Sequence, residues 1–244
     1  MIGLRFTTIV NAPLTVAFDV ARALGRPWDA PMRELESVRP EWDRYELTDR
    51  RGRRVTHVRR FTATGSGTRV DEEIDWSPGP LPLGPAPRRQ VRRAMQLHLD
   101  AYAAAAGERA REVVQVVGAA VIDGGRLLVA RRAGGPYDGC WEFPGGKVER
   151  DEAELAGLAR EIREELAVDV VPEGFLGEVV LDGPVGGGRP GTSTLRVWRC
   201  LLAGGTPEAR EHAELRWVAA TELEALDWIA ADRPLLPAVR PYLG

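Results

Sequence analysis

The stretch from Gly146 to Val168 constrains this 244-residue chain more than any other segment. Four aliphatic residues recur in it at helical spacing and predict a helix over residues 152–166 with one apolar face. They are Leu155, Leu158, Ile162 and Leu166. Asp151 and Glu154, three residues apart at the predicted start, are typical of a capping box.

Three glutamates share another face of this predicted helix. Glu161, Glu164 and Glu165 are spaced so that their side chains emerge together. Neighbouring carboxylates repel by about 0.2–0.5 kcal/mol per pair. However, several hard oxygen donors at one spot are what Mg²⁺ or Mn²⁺ prefers, often together with substrate phosphates. The pattern therefore indicates either a solvated acidic face or a divalent metal site.

The whole stretch resembles the Nudix box, the signature of the Nudix hydrolases. That pattern is Gly, five residues, Glu, seven residues, Arg-Glu, an aliphatic, any residue, Glu-Glu, any residue, Gly and an aliphatic. The matching residues are Gly146, Glu152, Arg160, Glu161, Ile162, Glu164, Glu165 and Val168. Ala167 stands in place of the second Gly, a departure that concerns the end of the helix and leaves the glutamates intact. The resemblance implies an enzyme that hydrolyses phosphoric anhydrides with Mg²⁺, or with Mn²⁺.

Residues 115–244 are similar to the MutT branch of this family, the nucleoside triphosphate pyrophosphohydrolases that include 8-oxo-dGTP diphosphatases. The runs LLVARRA, WEFPGGKVE, EHAELRWV and LDWIAADRPLL follow the order and spacing of that branch. The resemblance implies cleavage of a nucleoside triphosphate, with 8-oxo-dGTP expected, to the monophosphate and pyrophosphate in nucleotide-pool sanitation. The strand over 192–198 lacks the Arg that the bacterial prototype has just before it and uses near the base. The alternative is hydrolysis of CTP or a 5-substituted pyrimidine triphosphate, which uses the same scaffold with a different base pocket.

The same resemblance implies roles for individual residues. The expected metal ligands are the Gly145 carbonyl, Glu161, Glu164, Glu165 and Glu211, and the four glutamates are also the expected catalytic residues. The expected substrate contacts are Arg131 and Lys147, which would meet the phosphates, together with Phe143 and Asp232, of which Asp232 would meet the base edge. The expected structural residues are Gly146, Glu152 and Arg160, the last two as a pair.

Three of these assignments have alternatives in the sequence. Glu208 and Glu214 lie in the same charged run as Glu211 and offer the same carboxylate. Arg131 also fits a solvent-facing position on a strand. Asp232 precedes Arg-Pro and would serve equally well as the N-terminal cap of the last helix.

The first 111 residues follow a different pattern. A strand over 2–10 and a helix over 14–24 precede a segment, 25–42, that is predicted to be irregular. Three β-rich runs and a long helix over 88–112 follow; the runs are 44–48, 54–64 and 68–76. This order, with the start NAPLTVAFDVA, resembles a shortened START-like, or helix-grip, domain. Such a sheet can enclose an apolar ligand; the alternative is a solid unit for homodimer formation or another accessory role.

The predicted fold class is α+β in two domains. Residues 1–111 would form the helix-grip accessory domain, and residues 112–244 a Nudix α/β/α sandwich with a mixed sheet. The predicted strands of the second domain are 113–123, 126–132, 168–171, 175–180, 192–202 and 214–218. A Gly-rich loop over 183–191, a short helix over 221–226 and a closing helix over 234–243 complete it.

The composition argues against several classes of partner. The 33 basic and 36 acidic residues are intermixed, which does not favour nucleic-acid binding. The sequence contains no long apolar run, so no membrane span is expected. The two cysteines and three histidines are dispersed, so no zinc motif is visible and a cytoplasmic location is expected. A ligand-sensing protein with a non-catalytic Nudix domain is the rival from another class, and the complete glutamate set counts against it.

Overall fold

The computed structural model describes residues 2–28, 31–48, 52–77, 85–150, 152–181 and 193–244. The chain divides into two compact units, Met1–Arg111 and Glu112–Gly244. The predicted loop 183–191 and Asp151, the expected cap, lie outside the described residues. Of the helices that are described, none has the length and apolar character needed to cross a membrane.

In the described part of the N-terminal unit, five antiparallel strands form one sheet in the order β1-β5-β4-β3-β2. They are β1 (Ile2–Val10), β2 (Arg33–Val38), β3 (Trp42–Thr48), β4 (Arg54–Thr64) and β5 (Gly67–Trp76). The helices are α1 (Leu14–Leu24) and α2 (Pro85–Ala110). The two helices contact each other, and α1 also packs on β4.

Strand β2 corrects the prediction that residues 25–42 are irregular. Five of its six residues are exposed, and it lies at the edge of the sheet. Its pairing with β3 shifts register between Glu34 and Glu36. An edge strand without a buried face lacks the apolar alternation by which strands are recognised in a sequence.

The helix-facing side of this sheet carries a buried charged network. Arg59 donates to both oxygens of Asp43 at 3.0 and 2.6 Å and to the Ala21 carbonyl of α1 at 2.7 Å. His57 Nε2 lies 2.6 Å from Glu72 Oε2. Buried charged and polar groups are stable when they are hydrogen-bonded to one another, as these are. The START-like identity and the apolar ligand remain predictions.

In the described part of the C-terminal unit, seven strands form a mixed sheet. They are β6 (Val114–Asp123), β7 (Arg126–Arg132), β8 (Trp141–Glu142), β9 (Gly145–Lys147), β10 (Asp169–Leu181), β11 (Ser193–Gly204) and β12 (His212–Val218). The main order is β10-β11-β6-β7-β12, while β8 pairs with β7 and β9 with β6. Strands β6 and β11 are parallel and their neighbours antiparallel. The predicted mixed α+β fold is confirmed.

Each face of this sheet has its own apolar core. Helix α3 (Glu154–Leu166) buries Leu158 and Ile162 against one face, which includes Trp198. The C-terminal segment, with the short helix α4 (Leu236–Val239), packs against Val197 on the other face. Residues next to each other on a strand point to opposite faces, so the sheet presents one set of side chains to α3 and another to the C-terminus.

Several predicted boundaries in this unit were wrong. In place of the predicted closing helix lie a 3₁₀ turn (Arg233–Leu235), α4 and a second 3₁₀ turn (Arg240–Tyr242). Each has a proline in its first turn, and because proline lacks an N–H it cannot continue the hydrogen bonds of the turn before it. The two strands predicted over 168–180 are one strand, β10, with register shifts. The helix predicted over 221–226 is a 3₁₀ turn, Leu223–Ala225.

Glu154 fixes the start of α3 to the sheet. Its buried carboxylate accepts hydrogen bonds from Arg196 Nε at 2.8 Å, Trp198 Nε1 at 2.5 Å and Gln115 Nε2 at 2.6 Å. Arg196, which is fully buried, also donates to Glu178 at 2.8 Å. The first turn of α3 is therefore bound to β6 and β11, and through Arg196 to β10.

Replacing Arg196 by Met should destabilise the C-terminal unit by about 3–5 kcal/mol, because two buried carboxylates lose their cation. Arg199→Ala on the same strand is the control, since its pair with Glu173 is partly exposed and should contribute about 1 kcal/mol or less. Hydrogen exchange of peptides from α3 and β11 measures the difference. Equal protection in the two variants would contradict a stabilising role for the buried pair.

Candidate active site

The backbone of β9 passes directly beneath the glutamates of α3. Gly145 has φ of +148° and pairs with Gly118 of β6, and a Cβ on it would overlap the Val117 carbonyl. A Cβ on Gly146 would instead overlap the carboxylate of Glu161. The first glycine is required by the backbone, whereas the second leaves space for a functional side chain.

Arg160 is the centre of the ion pairs on this face. Its Nε and Nη2 each donate to a Glu152 oxygen at 3.0 Å, and Nη2 also reaches the Lys147 carbonyl at 3.1 Å. Its Nη1 donates to Glu161 at 3.0 Å and to Glu164 at 3.1 Å. The hydrogen bond between Arg160 and Glu152 raises the pKa of the guanidinium and lowers the pKa of the carboxyl. Arg160 therefore ties the β9 loop to α3.

Glu165 is bound to the backbone of β9. Its Oε2 accepts the N–H of Gly145 at 3.0 Å. Burial is the largest influence and raises the pKa of Glu165 to about 7. A cation close to this carboxylate would offset the cost of its burial and favour the charged form.

The glutamates supply the donors that a divalent cation requires. Glu161 and Glu164 converge on one nitrogen of Arg160, which shows that both carboxylates can reach a common positive centre. Across the described ranges, no three His, Cys, Asp or Glu side chains are grouped closely enough to hold a metal ion. Glu165 is turned instead to the N–H of Gly145. The donor type fits Mg²⁺ or Mn²⁺, while the side-chain conformations here satisfy Arg160 and Gly145.

Three residues that the sequence did not single out extend the site. Glu142 accepts a hydrogen bond from Arg132 Nη1 at 2.9 Å and lies 3.3 Å from His212 Nε2. Burial lowers the pKa of His212, but the hydrogen bond to Glu142 and the charge of Glu165 outweigh it and raise the pKa overall. The only sequence signal for His212 was its place directly after Glu211.

The segment before β12 is attached to the end of α3 by its backbone. The N–H of Glu208 donates to the Leu166 carbonyl at 2.9 Å. The N–H of Arg210 donates to the Glu165 carbonyl at 3.1 Å. These bonds bring the charged run of the sequence to the same end of α3 as the glutamates.

The three acids of this run have different surroundings. Glu208 lies 3.8 Å from Arg210. Glu214 accepts a hydrogen bond from Arg216 at 2.9 Å. Glu211 is exposed. The part that Glu211 plays in catalysis remains a prediction, as does its selection over its two neighbours.

The two predicted phosphate contacts lie in different places. Arg131 donates to the Gly139 carbonyl at 3.2 Å and to Glu214 at 3.5 Å. On β7, Leu128 packs on the α3 face and Val129 on the other face. Because neighbouring strand residues point to opposite faces, Arg131 lies on the face away from α3, and Arg132 on the α3 face. Lys147 is exposed at the end of β9, and its carbonyl is bound to Arg160.

Asp232 and Phe143 meet on the face away from α3. Asp232 is 4% exposed, and its Oδ2 accepts the Phe143 N–H at 2.7 Å. Burial raises the pKa of Asp232 to about 7. The ring of Phe143 packs against Trp228 with centroids 5.3 Å apart. Asp232 makes no side-chain cap to the following turn, so the capping alternative is wrong, and its contact with a base remains a prediction.

Replacing Gly146 by Ala should lower kcat at least tenfold with little loss of stability, because the new Cβ displaces only the flexible end of Glu161. Gly145→Ala should lower stability as well, because its Cβ overlaps backbone and its φ is unfavourable for alanine. Gly107→Ala, with nothing within 4 Å of the new Cβ, is the control. Thermal unfolding and kcat are measured for each variant. Unchanged turnover in Gly146→Ala would show that the position of Glu161 is not critical.

Comparison with known proteins identifies the family of the C-terminal unit. The NUDIX domain model matches residues 113–239. The "Putative 8-oxo-dGTP diphosphatase 2" of Mycobacterium tuberculosis is 46% identical over 119 residues, which are 48% of this chain and 82% of that protein. The CTP pyrophosphohydrolase of Escherichia coli is 37% identical over 129 residues, 52% of this chain and 91% of that protein. A MutT NUDIX hydrolase structure from Burkholderia pseudomallei is 30% identical with a TM-score of 0.46, over 52% of this chain and 97% of that one. The chain belongs to the NUDIX family and is an enzyme of the class that acts on phosphoric anhydrides.

Proposed function

We propose that the C-terminal unit is a Mg²⁺-dependent pyrophosphohydrolase that converts a nucleoside triphosphate to its monophosphate and pyrophosphate. The observation that carries this proposal is the placement of the α3 glutamates against the Gly145–Gly146 backbone. Glu161 fills the space above Gly146, and Glu165 accepts the N–H of Gly145. Both carboxylates are thereby brought to the loop whose carbonyl is the remaining expected metal ligand.

The chemistry follows from the charge of the substrate. A triphosphate repels nucleophiles, and a bound divalent ion neutralises its oxygens and lowers the pKa of bound water. Glu161, Glu164, Glu165 and Glu211 would hold that ion. One of these glutamates would take the proton of the attacking water. Lys147, exposed beside the loop, would face the phosphates, and Arg131 would contact the substrate from the other face.

For the base, we propose 8-oxo-guanine first and cytosine second. The similarity to the M. tuberculosis protein supports the first, and the similarity to the E. coli CTP pyrophosphohydrolase supports the second. Asp232 lies on the same face of the sheet as Phe143 and Trp228, which are core residues 4% and 3% exposed. The base contact of Asp232 is therefore proposed from the resemblance of residues 115–244 to the MutT branch alone.

Replacing Glu164 by Gln should reduce pyrophosphate release by about 10²–10⁴-fold, because a metal and proton-transfer carboxylate is lost. The side chain is 56% exposed, so folding should be preserved. Glu224→Gln, an exposed residue far from α3 in sequence, is the matched control. Full activity of Glu164→Gln in Mg²⁺ would refute the proposed role of the α3 glutamates.

Substrate choice is tested by kcat/KM for 8-oxo-dGTP, the four dNTPs, CTP and ADP-ribose. In Asp232→Ala, the ratio between the best substrate and the others should fall at least tenfold, since a hydrogen bond to a charged group contributes about 1.5–3 kcal/mol. Asp232→Asn keeps an acceptor for the Phe143 N–H and separates base contact from support of the loop. An equal loss for every triphosphate would mean that Asp232 supports Phe143 and does not select the base.

A further inference from the structure

The residues on both sides of Glu211 in the sequence are bound to neighbouring elements, one to α3 and the other to β8. On its N-terminal side, the N–H of Arg210 is bound to the carbonyl of Glu165, a proposed metal ligand. On its C-terminal side, the His212 side chain is 6% exposed and its Nε2 lies 3.3 Å from Glu142 Oε1. Glu142 is in turn bound to Arg132. The exposed carboxylate of Glu211 therefore projects from a short segment that is held at each end.

The two attachments differ in what a mutation can remove. The bond from Arg210 uses the backbone, so any residue except proline can make it. The one at His212 depends on a side chain with a nitrogen at the Nε2 position. His212 Nδ1 is buried and makes no hydrogen bond within the part of the chain that is described. The contact of His212 Nε2 with Glu142 is therefore its specific polar anchor.

We infer that His212 is a positioning residue that holds Glu211 in place for the proposed reaction through its bond to Glu142. This inference rests on the proposed function, because it assigns His212 a role through a carboxylate of that site. Among the contacts of the described residues, Glu208 lies beside Arg210 and Glu214 is bound by Arg216, whereas the exposed Glu211 is shown with no arginine partner. His212 itself does not touch the substrate.

The decisive comparison is His212→Gln with His212→Asn. Both place an amide in the same buried position, but only the longer Gln brings its nitrogen to the place of Nε2 and reaches Glu142. We expect His212→Gln to stay within about threefold of the wild-type kcat, and His212→Asn to lose about tenfold, as is usual when an outer support of a metal site is removed. KM should change little in either variant. Arg210→Ala, which keeps the backbone bond, is the control.

A second measurement separates positioning from general structural support. If His212 acts through Glu211, His212→Asn should change kcat less than about twofold when Glu211 is already Gln. If the kcat losses of the two single variants multiply in the double variant, the inference is overturned. Full activity of His212→Asn would also overturn it. Hydrogen exchange of peptide 205–212 in metal-free protein adds a readout that needs no activity, with faster exchange expected in His212→Asn and wild-type exchange in His212→Gln.

The outcomes of the two proposals are distinguishable. If the wild-type chain releases no pyrophosphate from any triphosphate in Mg²⁺, the proposed function fails. The exchange measurement then still tests the attachment at His212, and identical exchange in the Gln and Asn variants would overturn it. If the wild type is active and the Asn variant is equally active, only the inference about His212 fails.

Discussion

The close approach of the α3 glutamates to the β9 backbone is the contact on which the rest of the site depends. Glu161 lies where any side chain at position 146 would be, and Glu165 is bound to the N–H of Gly145. This contact is possible only because the loop carries two glycines, since a Cβ at either position would overlap neighbouring atoms. It also requires α3 to sit at a fixed height above the sheet, which Glu154 provides at the start of the helix through its bonds to Arg196 and Trp198. The buried ion pair at one end thus determines the position of carboxylates two to three turns away.

Charge balance explains how several carboxylates coexist on one helix. Arg160 contacts Glu152, Glu161 and Glu164 at once, and the repulsion among them is offset by a shared cation. Glu165 has no such partner among the contacts described and shows the cost of burial in its raised pKa. On the far side, Glu142 lies between Arg132 and His212. Arginines therefore hold Glu152, Glu161, Glu164 and Glu142, whereas Glu165 is held by the N–H of Gly145.

The N-terminal unit is organised by a different polar network. The indole N–H of Trp28 donates to His57 Nδ1 at 3.3 Å, so that Nε2 carries the proton shared with Glu72. Next to it, Arg26 stacks on Tyr45 with the guanidinium 3.5 Å from the ring centroid, and burial lowers the pKa of Arg26 to about 10. Hydrogen bonds and ring contacts of this kind, made inside a core, favour one arrangement of its side chains.

The sequence alone determined the box helix, its apolar stripe, the three glutamates on one turn and the mixed α+β class, because these follow from local spacing and a specific motif. It did not determine β2, whose exposed edge position leaves no periodic signal, or the partner of Glu154, which local spacing assigned to a cap. Only the tertiary structure decided that His212, Glu142 and Arg132 lie together near Glu165, because they come from three strands brought together by sheet pairing. It also decided that Arg131 and Arg132, neighbours in the chain, lie on opposite faces. Residues distant in sequence become neighbours only through the register of the strands, and no local pattern encodes that register.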